Sequence, residues 1–349
     1  MSDLSRRHVM LGLGAAAASP VGLGAGLGSG LGFGLAAGLA TSATAATATA
    51  AGVQDASEAA PQQGAGFYRF TVGDIECFSL GDGASQLPAR PFWGENATEE
   101  AMDALLGSAA VDPAAMWMHF NVMLIRSGGE TWLVDGGNGG ARGATRQRLA
   151  TLGVDPADVD GIVISHMHGD HFAGLIGEDG SLVYPNATYH INRAEADFWG
   201  NSPNLDGTSL PAASKQRMAS GAAAALTAIE GSGRVERVDD LTDVGRGLTL
   251  RKTGGHTPGH QTVVIESGGS RFEMIVDAVH HHVMSFRRPE WHIQFDYDAK
   301  EGARVRSREL DRLAGDQIPV MCYHTPFPGV GHVGRRGAAY EWMAAPWQW

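Results

Sequence analysis

The stretch Ser165-His166-Met167-His168-Gly169-Asp170-His171 constrains this chain more than any other, because it crowds three imidazoles and a carboxylate into one short run. It follows Gly161-Ile162-Val163-Ile164, an apolar run that reads as a short buried strand, with Gly169 allowing a tight turn straight after it. So many polar groups beside a buried strand need a partner, and a metal ion suits that donor set. His166 and His168, two residues apart on extended backbone, point to one side and can grip one ion. Asp170 and His171 leave the turn and can reach a second. A solvated loop rich in histidine is the bland reading, and a strand running into H-x-H-x-D-H is too specific a pattern to favour it.

The first fifty residues read as something other than fold. Ser5-Arg6-Arg7-His8-Val9-Met10-Leu11 has the form of a twin-arginine export signal, followed by an uncharged Gly/Ala/Leu tract and Ala-x-Ala options such as Ala46-Thr47-Ala48. A membrane anchor is the competing reading, since the tract is long enough to span. Its dense glycine and Ala-rich tail favour a signal that is removed. The expected organisation is a signal over residues 1–51, a linker over 52–66 and one hydrolase domain over 67–349, in a periplasmic or secreted protein without stable membrane association.

The whole chain carries 26 Lys and Arg against 38 Asp and Glu, a net charge of −12. An acidic chain without a basic cluster argues against nucleic acid as partner. A small-molecule substrate is expected, and a homodimer is compatible with the sequence. The two cysteines, Cys77 and Cys322, each sit in an apolar strand-like run. Export would permit a disulfide, but two buried thiols filling core space is the favoured reading.

From Gly66 onward the pattern is strand-rich. Phe67 to Val72 and Ile75 to Leu80 flank the turn Gly73-Asp74. Thr98 caps a helix with Glu99 and Glu100 in its first turn. Strands are expected at 121–126, 131–135, 187–191, 234–238, 248–252, 262–267, 271–276 and 318–323, with helices at 143–152, 193–199 and 298–314. Asn201 to Ala213 reads as a lid, ahead of an Ala-rich helix. Two successive halves of strands then helices suggest an α/β chain, with two sheets face to face and helices outside: a four-layer αβ/βα sandwich.

Further donors appear at later strand ends. Gly254-Gly255-His256-Thr257-Pro258-Gly259-His260 is a Gly-rich turn, Met274-Ile275-Val276-Asp277 delivers a carboxylate, and Met321-Cys322-Tyr323-His324 delivers an imidazole. Asp135 ends another strand, where it either supports the metal site or forms the turn. At these residues the sequence resembles the metallo-β-lactamase superfamily, whose dinuclear pattern is H-x-H-x-D-H followed by His, Asp and His. The resemblance implies that His166, His168 and His260 bind one ion, Asp170, His171 and His324 the other, and that Asp277 bridges. His256 is then left to hold its loop. Two divalent ions, zinc above all, are the cofactors implied, with an open position for substrate.

Within the superfamily the likeness is to the methyl parathion hydrolase group and related secreted dinuclear-zinc hydrolases and lactonases. It is carried by Phe67-Tyr68-Arg69, Glu195-Ala196-Asp197-Phe198-Trp199, the His256 to His260 turn and Pro326-Phe327-Pro328-Gly329-Val330-Gly331-His332. One departure is Ala278-Val279-His280-His281-His282. Quorum-quenching lactonases of the superfamily carry a tyrosine three residues after the bridging aspartate, and here His280 has that spacing. His280 is read as a donor to the substrate, with a solvated turn as the alternative; Asp170 and His280 are the residues assigned to catalysis.

The expected chemistry is hydrolysis by a metal-bridging hydroxide, and no Ser/His/Asp arrangement stands out. Phe92, Trp93, Trp199 and Trp291 are expected to line the pocket, with Trp199 placed at the substrate by the resemblance. Few basic residues lie near the motifs, which favours a neutral, apolar-sided bond: a lactone, an aryl ester or an organophosphate triester. A glutathione thioester or β-lactam substrate is the alternative on this fold. A diiron oxidoreductase is less favoured, because His168 stands where those members resemble one another in having glutamate.

Overall fold

The computed structural model describes residues 66–347. The twin-arginine segment, its Ala-rich tail and the linker before residue 66 lie outside the described residues.

Seven strands run in sequence order across a first sheet: β1 (Phe67–Val72), β2 (Ile75–Leu87), β3 (Met116–Ser127), β4 (Glu130–Val134), β5 (Gly161–Ile164), β6 (Thr188–Asn192) and β7 (Val235–Val238). Pairing is antiparallel from β1 to β4 and parallel from β4 to β7. A second seven-stranded sheet holds β8 (Thr242–Gly245), β9 (Leu248–Lys252), β10 (Gln261–Ser267), β11 (Ser270–Val276), β12 (Val320–Cys322), β13 (Val330–Arg336) and β14 (Ala339–Ala344). Only β11 and β12 are parallel there; the other neighbours are antiparallel. The helices are α1 (Glu99–Ser108), α2 (Thr145–Thr151), α3 (Gly169–Phe172), α4 (Arg193–Gly200), α5 (Ala212–Gly231), α6 (Met284–Arg287) and α7 (Ala299–Asp316).

One buried cluster joins the sheets, with Phe78, Leu80, Leu124 and Ile162 from the first and Leu250, Val263, Ile265 and Met274 from the second. It continues to Leu149 of α2 and to Leu226 and Ile229 of α5. A second cluster packs α7, through Leu310 and Leu313, against Ile275, Val320 and Cys322. The layers are therefore helix, sheet, sheet, helix. β5 is buried at all four residues, which is why it reads as an unbroken apolar run. α7 starts because Asp298 accepts from the amides of Lys300 and Glu301.

The structure departs from the sequence expectations where glycine intervenes. β2 and β3 run further than their apolar cores suggested, because the register shifts between Gly81 and Gly83, and Gly83 at φ 139° takes a conformation closed to other residues. The strands β13 and β14 gave no apolar alternation to read. At Gly331 a side chain would meet the Met343 carbonyl and the Trp342 ring, so this close pairing needs the glycine that hides it.

Both cysteines are free and fully buried, Cys77 in the inter-sheet cluster and Cys322 in the α7 cluster. Burial pushes both thiols well above their usual range. A thiol reagent is therefore expected to leave the native chain unlabelled and to titrate two thiols after unfolding. Fast labelling of the folded protein would contradict this placement.

Candidate metal centre

The donors gather at the carboxyl ends of the two runs of parallel strands, where side chains leaving adjacent strands converge. β4 ends at Asp135, and β5 runs through Ser165 into His166 and His168, with α3 carrying Asp170 and His171. In the second sheet β11 ends at Asp277, β12 leads to His324, and the turn between β9 and β10 carries His256. Asp135 and Val276 both hold positive φ, at 66° and 47°. That conformation is costly for a β-branched valine, and here it turns the chain sharply at the donor beside it.

Asp277 is the hub. Its Oδ2 lies 3.1 Å from His324 Nε2, 3.3 Å from His280 Nε2, 3.4 Å from His256 Nε2 and 3.8 Å from His166 Nε2. Its Oδ1 lies 3.4 Å from His171 Nε2. Asp170 Oδ2 is 3.6 Å from His171 Nε2 and 3.5 Å from His324 Nε2. Donor atoms close enough to share an ion form the groups His166/His168/His256, His166/His171/Asp277, Asp170/His171/His324 and His256/Asp277/His280.

The tautomers show what this centre takes. His171 Nδ1 donates to Asp135 at 2.8 Å, His256 Nδ1 to Asp296 at 2.8 Å, and His324 Nδ1 to the His119 carbonyl at 2.8 Å. Ser165 gives its own proton to Asp135, so its oxygen accepts from His166 Nδ1 at 3.0 Å. Held this way, each ring in its neutral form aims an unprotonated Nε2 inward. Lone pairs face a carboxylate, and His256 Nε2 faces His168 Nδ1 at 2.9 Å. His166 Nε2, His171 Nε2 and Asp277 Oδ1 are buried with no protein partner. A cation among them satisfies the whole set, so the residues fit a metal pair.

The charge balance divides the rings. Burial, followed by neighbouring imidazoles, pushes His166, His168 and His256 well below the usual histidine range, leaving them as the neutral rings that ligate. Burial alone would raise Asp277, but His324, His171 and His280 hold it well below the carboxylate range. His171 and His324 move the other way: burial pulls both down, but Asp277 and Asp170 raise both, and Asp135 helps lift His171 well above, so a metal would bind there by displacing a proton.

Three expectations need correction. His260 does not reach the first triad, because both its ring nitrogens are occupied: Nε2 accepts the Asp277 backbone N–H at 3.2 Å, and Nδ1 meets Thr253 Oγ1 at 2.6 Å. His256, expected only to hold the loop, takes its place beside His166 and His168. Trp199 is not a pocket wall: its indole is 1% exposed and gives its N–H to Glu195 at 2.7 Å. Trp93 and Trp291 are also buried, in a cluster with Met102 and Leu106 of α1.

Of the expected pocket residues, Phe92 alone stays half-buried, stacked on Phe295 with centroids 5.3 Å apart. Phe295 in turn stacks 6.5 Å from His280. The solvated-turn reading of His280 also falls, since that ring is 1% exposed, both its nitrogens lack a protein partner, and it lies parallel to His324. Asp135 supports His171, which settles the alternative left open by its strand-end position. Asp296 and Glu195 went unrecognised as supports: Asp296 sits in no motif, and Glu195 belongs to a matched stretch that shows nothing of what its carboxylate touches.

Residues 117–272 match the Metallo-beta-lactamase superfamily. An N-acyl homoserine lactonase, AttM of Agrobacterium fabrum, is 32% identical over 132 residues, 36% of this chain and 42% of its own. A ribonuclease Z of Aeropyrum pernix is 34% identical over 73 residues, 21% of this chain and 22% of its own. The chain thus spans less than half the length of either relative. Among solved structures, the dizinc quorum-quenching lactonase AidC superposes with a TM-score of 0.76 at 24% identity, covering 81% of this chain and 98% of that one. The hydrolase AbOPH of the beta lactamase superfamily superposes with a TM-score of 0.74 at 27% identity, covering 82% and 100%.

Proposed function

The chain carries a metallo-beta-lactamase superfamily domain, and from that premise we propose that it is a dinuclear metal-dependent hydrolase of neutral, apolar-sided ester-type bonds, with lactones as the preferred class. The observation that carries the metal reading is the convergence of inward-facing Nε2 lone pairs on the Asp277 carboxylate. Two divalent ions, zinc by the donor set, would supply a lowered water pKa and a polarised carbonyl or phosphoryl oxygen.

The chain's own residues divide the remaining work. His166, His168 and His256 would hold one ion, Asp170, His171 and His324 the other, with Asp277 between the two groups. Asp135 and Asp296 fix His171 and His256 in the tautomer that leaves Nε2 free. Phe92 and Phe295 offer a half-buried apolar face beside His280. That suits an acyl chain or an aryl group better than a carboxylate. The likeness to AttM supports the lactone class; the likeness to AbOPH does not separate ester from phosphotriester chemistry. Ribonuclease Z likenesses span about a fifth to a quarter of the chain, and a net charge of −12 disfavours a polyanionic RNA substrate.

His280 decides the bond class in this reading. Its unpartnered ring nitrogens can donate to a leaving alkoxide, which needs a proton, whereas a nitrophenolate leaves without one. His280→Phe with both metals retained should lower lactone and alkyl-ester turnover by roughly 10²-fold, the usual size of a lost general acid, while aryl phosphotriester turnover stays within a few fold. Equal losses on both classes would reduce His280 to holding the site's shape.

A further inference from the structure

Behind the centre lies a second carboxylate that touches no ligand ring. Glu195, near the start of α4, is 0% exposed, and its two oxygens receive four donors. Oε1 accepts the Met167 N–H at 2.9 Å and the Trp199 indole N–H at 2.7 Å. Oε2 accepts the Thr257 hydroxyl at 2.7 Å and the Gly259 N–H at 2.9 Å.

The placement of these donors is selective. Met167 lies between His166 and His168, and Thr257 follows His256 directly. One side chain therefore ties together the two segments that carry His166, His168 and His256. It also fixes Trp199, whose ring stands edge-on to His168 at 6.0 Å. The segments carrying Asp277 and His324 give it no donor. Three fixed N–H donors and a hydroxyl converge on its two oxygens, an arrangement that suits a carboxylate and opposes the upward push of burial on its pKa. The approach is also close: any side chain on Gly259 would collide with the Glu195 backbone, so the turn carrying His256 is pressed onto α4.

We propose that Glu195 is a positioning residue that sets the affinity of the His166/His168/His256 half of the centre, by fixing the backbone on both sides of that triad. The inference rests on the dinuclear reading given above, and its test reads metal binding instead of turnover, so a wrong substrate class leaves it standing.

The experiment is zinc binding by the full chain in competition with a chelator, read as two dissociation steps. It is run on the parent, Glu195→Gln and Asp135→Asn. In Glu195→Gln an amide NH₂ faces two of the four donors and one strap opens. One step should then weaken by roughly 10- to 100-fold, the usual cost of losing an outer-shell partner, with the other unchanged. Asp135→Asn, whose oxygens serve His171 directly and His166 through Ser165, should weaken both steps and is the unselective comparison. Thr257→Val removes a single donor and gives a folded fallback: it should shift the same step as Glu195→Gln by less, and add little in combination with it. If Glu195→Gln moves both steps together, or lowers the melting temperature of the metal-free chain while moving neither, Glu195 only braces the fold and the proposal fails. A parent that binds fewer than two ions overturns the dinuclear reading, and this inference with it.

Discussion

Asp277→Asn is expected to strip both halves of the centre at once, leaving less than one metal ion per chain and cutting turnover by about 10³-fold or more. The reason is electrostatic. Two divalent ions repel about four times as strongly as two unit charges, and a unit pair ~4 Å apart already costs about 4 kcal/mol at an effective dielectric of 20. Asp277 would supply the negative charge that both halves share, with one oxygen toward His171 and the other toward His256 and His324. An amide keeps the shape, loses the charge and turns an NH₂ toward one set of donors. A Lewis acid contributes several kcal/mol of transition-state stabilisation, and about 1.4 kcal/mol is tenfold in rate. Metal analysis after dialysis, beside kcat, checks this. A variant that keeps two ions and its activity would remove Asp277 from the bridging role.

The two histidines of one turn should give opposite phenotypes. His256→Ala removes a ring whose Nε2 faces the centre and whose Nδ1 is held by Asp296. Loss of one ion is expected, with an affinity cost beyond the roughly 10- to 100-fold of an outer-shell change, and with the metal-free fold little affected. His260→Ala leaves the Asp277 N–H buried without its partner and costs the Thr253 hydroxyl one of its two, the residue 260 carbonyl remaining. An orphaned group of this kind costs about 1–3 kcal/mol, so this variant should melt earlier while still binding two ions. Metal stoichiometry and melting temperature, measured together on both variants, separate the roles. If His260→Ala loses an ion while His256→Ala keeps two, the assignment reverts to the one the sequence suggested.

The reach of the sequence is clearest at that turn. H-x-H-x-D-H, Asp277 and His324 were legible because each leaves an apolar strand end and therefore has one direction to point. In the His256 to His260 turn two imidazoles lie four residues apart on irregular backbone, and nothing in one dimension says which ring faces in. Aromatic residues misled for a related reason. A tryptophan near the motifs reads as a pocket wall, yet Trp199 on α4 has a buried carboxylate for its N–H, and Trp93 packs under α1. The supports Asp296 and Glu195 act through contacts 40 and 62 residues away in sequence, with His256 and Thr257. Such separations leave no local spacing to recognise.

The donors come from both sheets, His166 to His171 from the first and His256, Asp277 and His324 from the second. An ion held there fastens one sheet to the other across the inter-sheet core, and it can be held only when both are already docked. Occupancy therefore reports assembly of the whole sandwich. Free ion at a hundred times its dissociation constant adds about 2.7 kcal/mol to the docked state. A chain that captures its ions early is thus fastened before any substrate arrives, whereas one starved of metal has the inter-sheet core alone to hold its two sheets together.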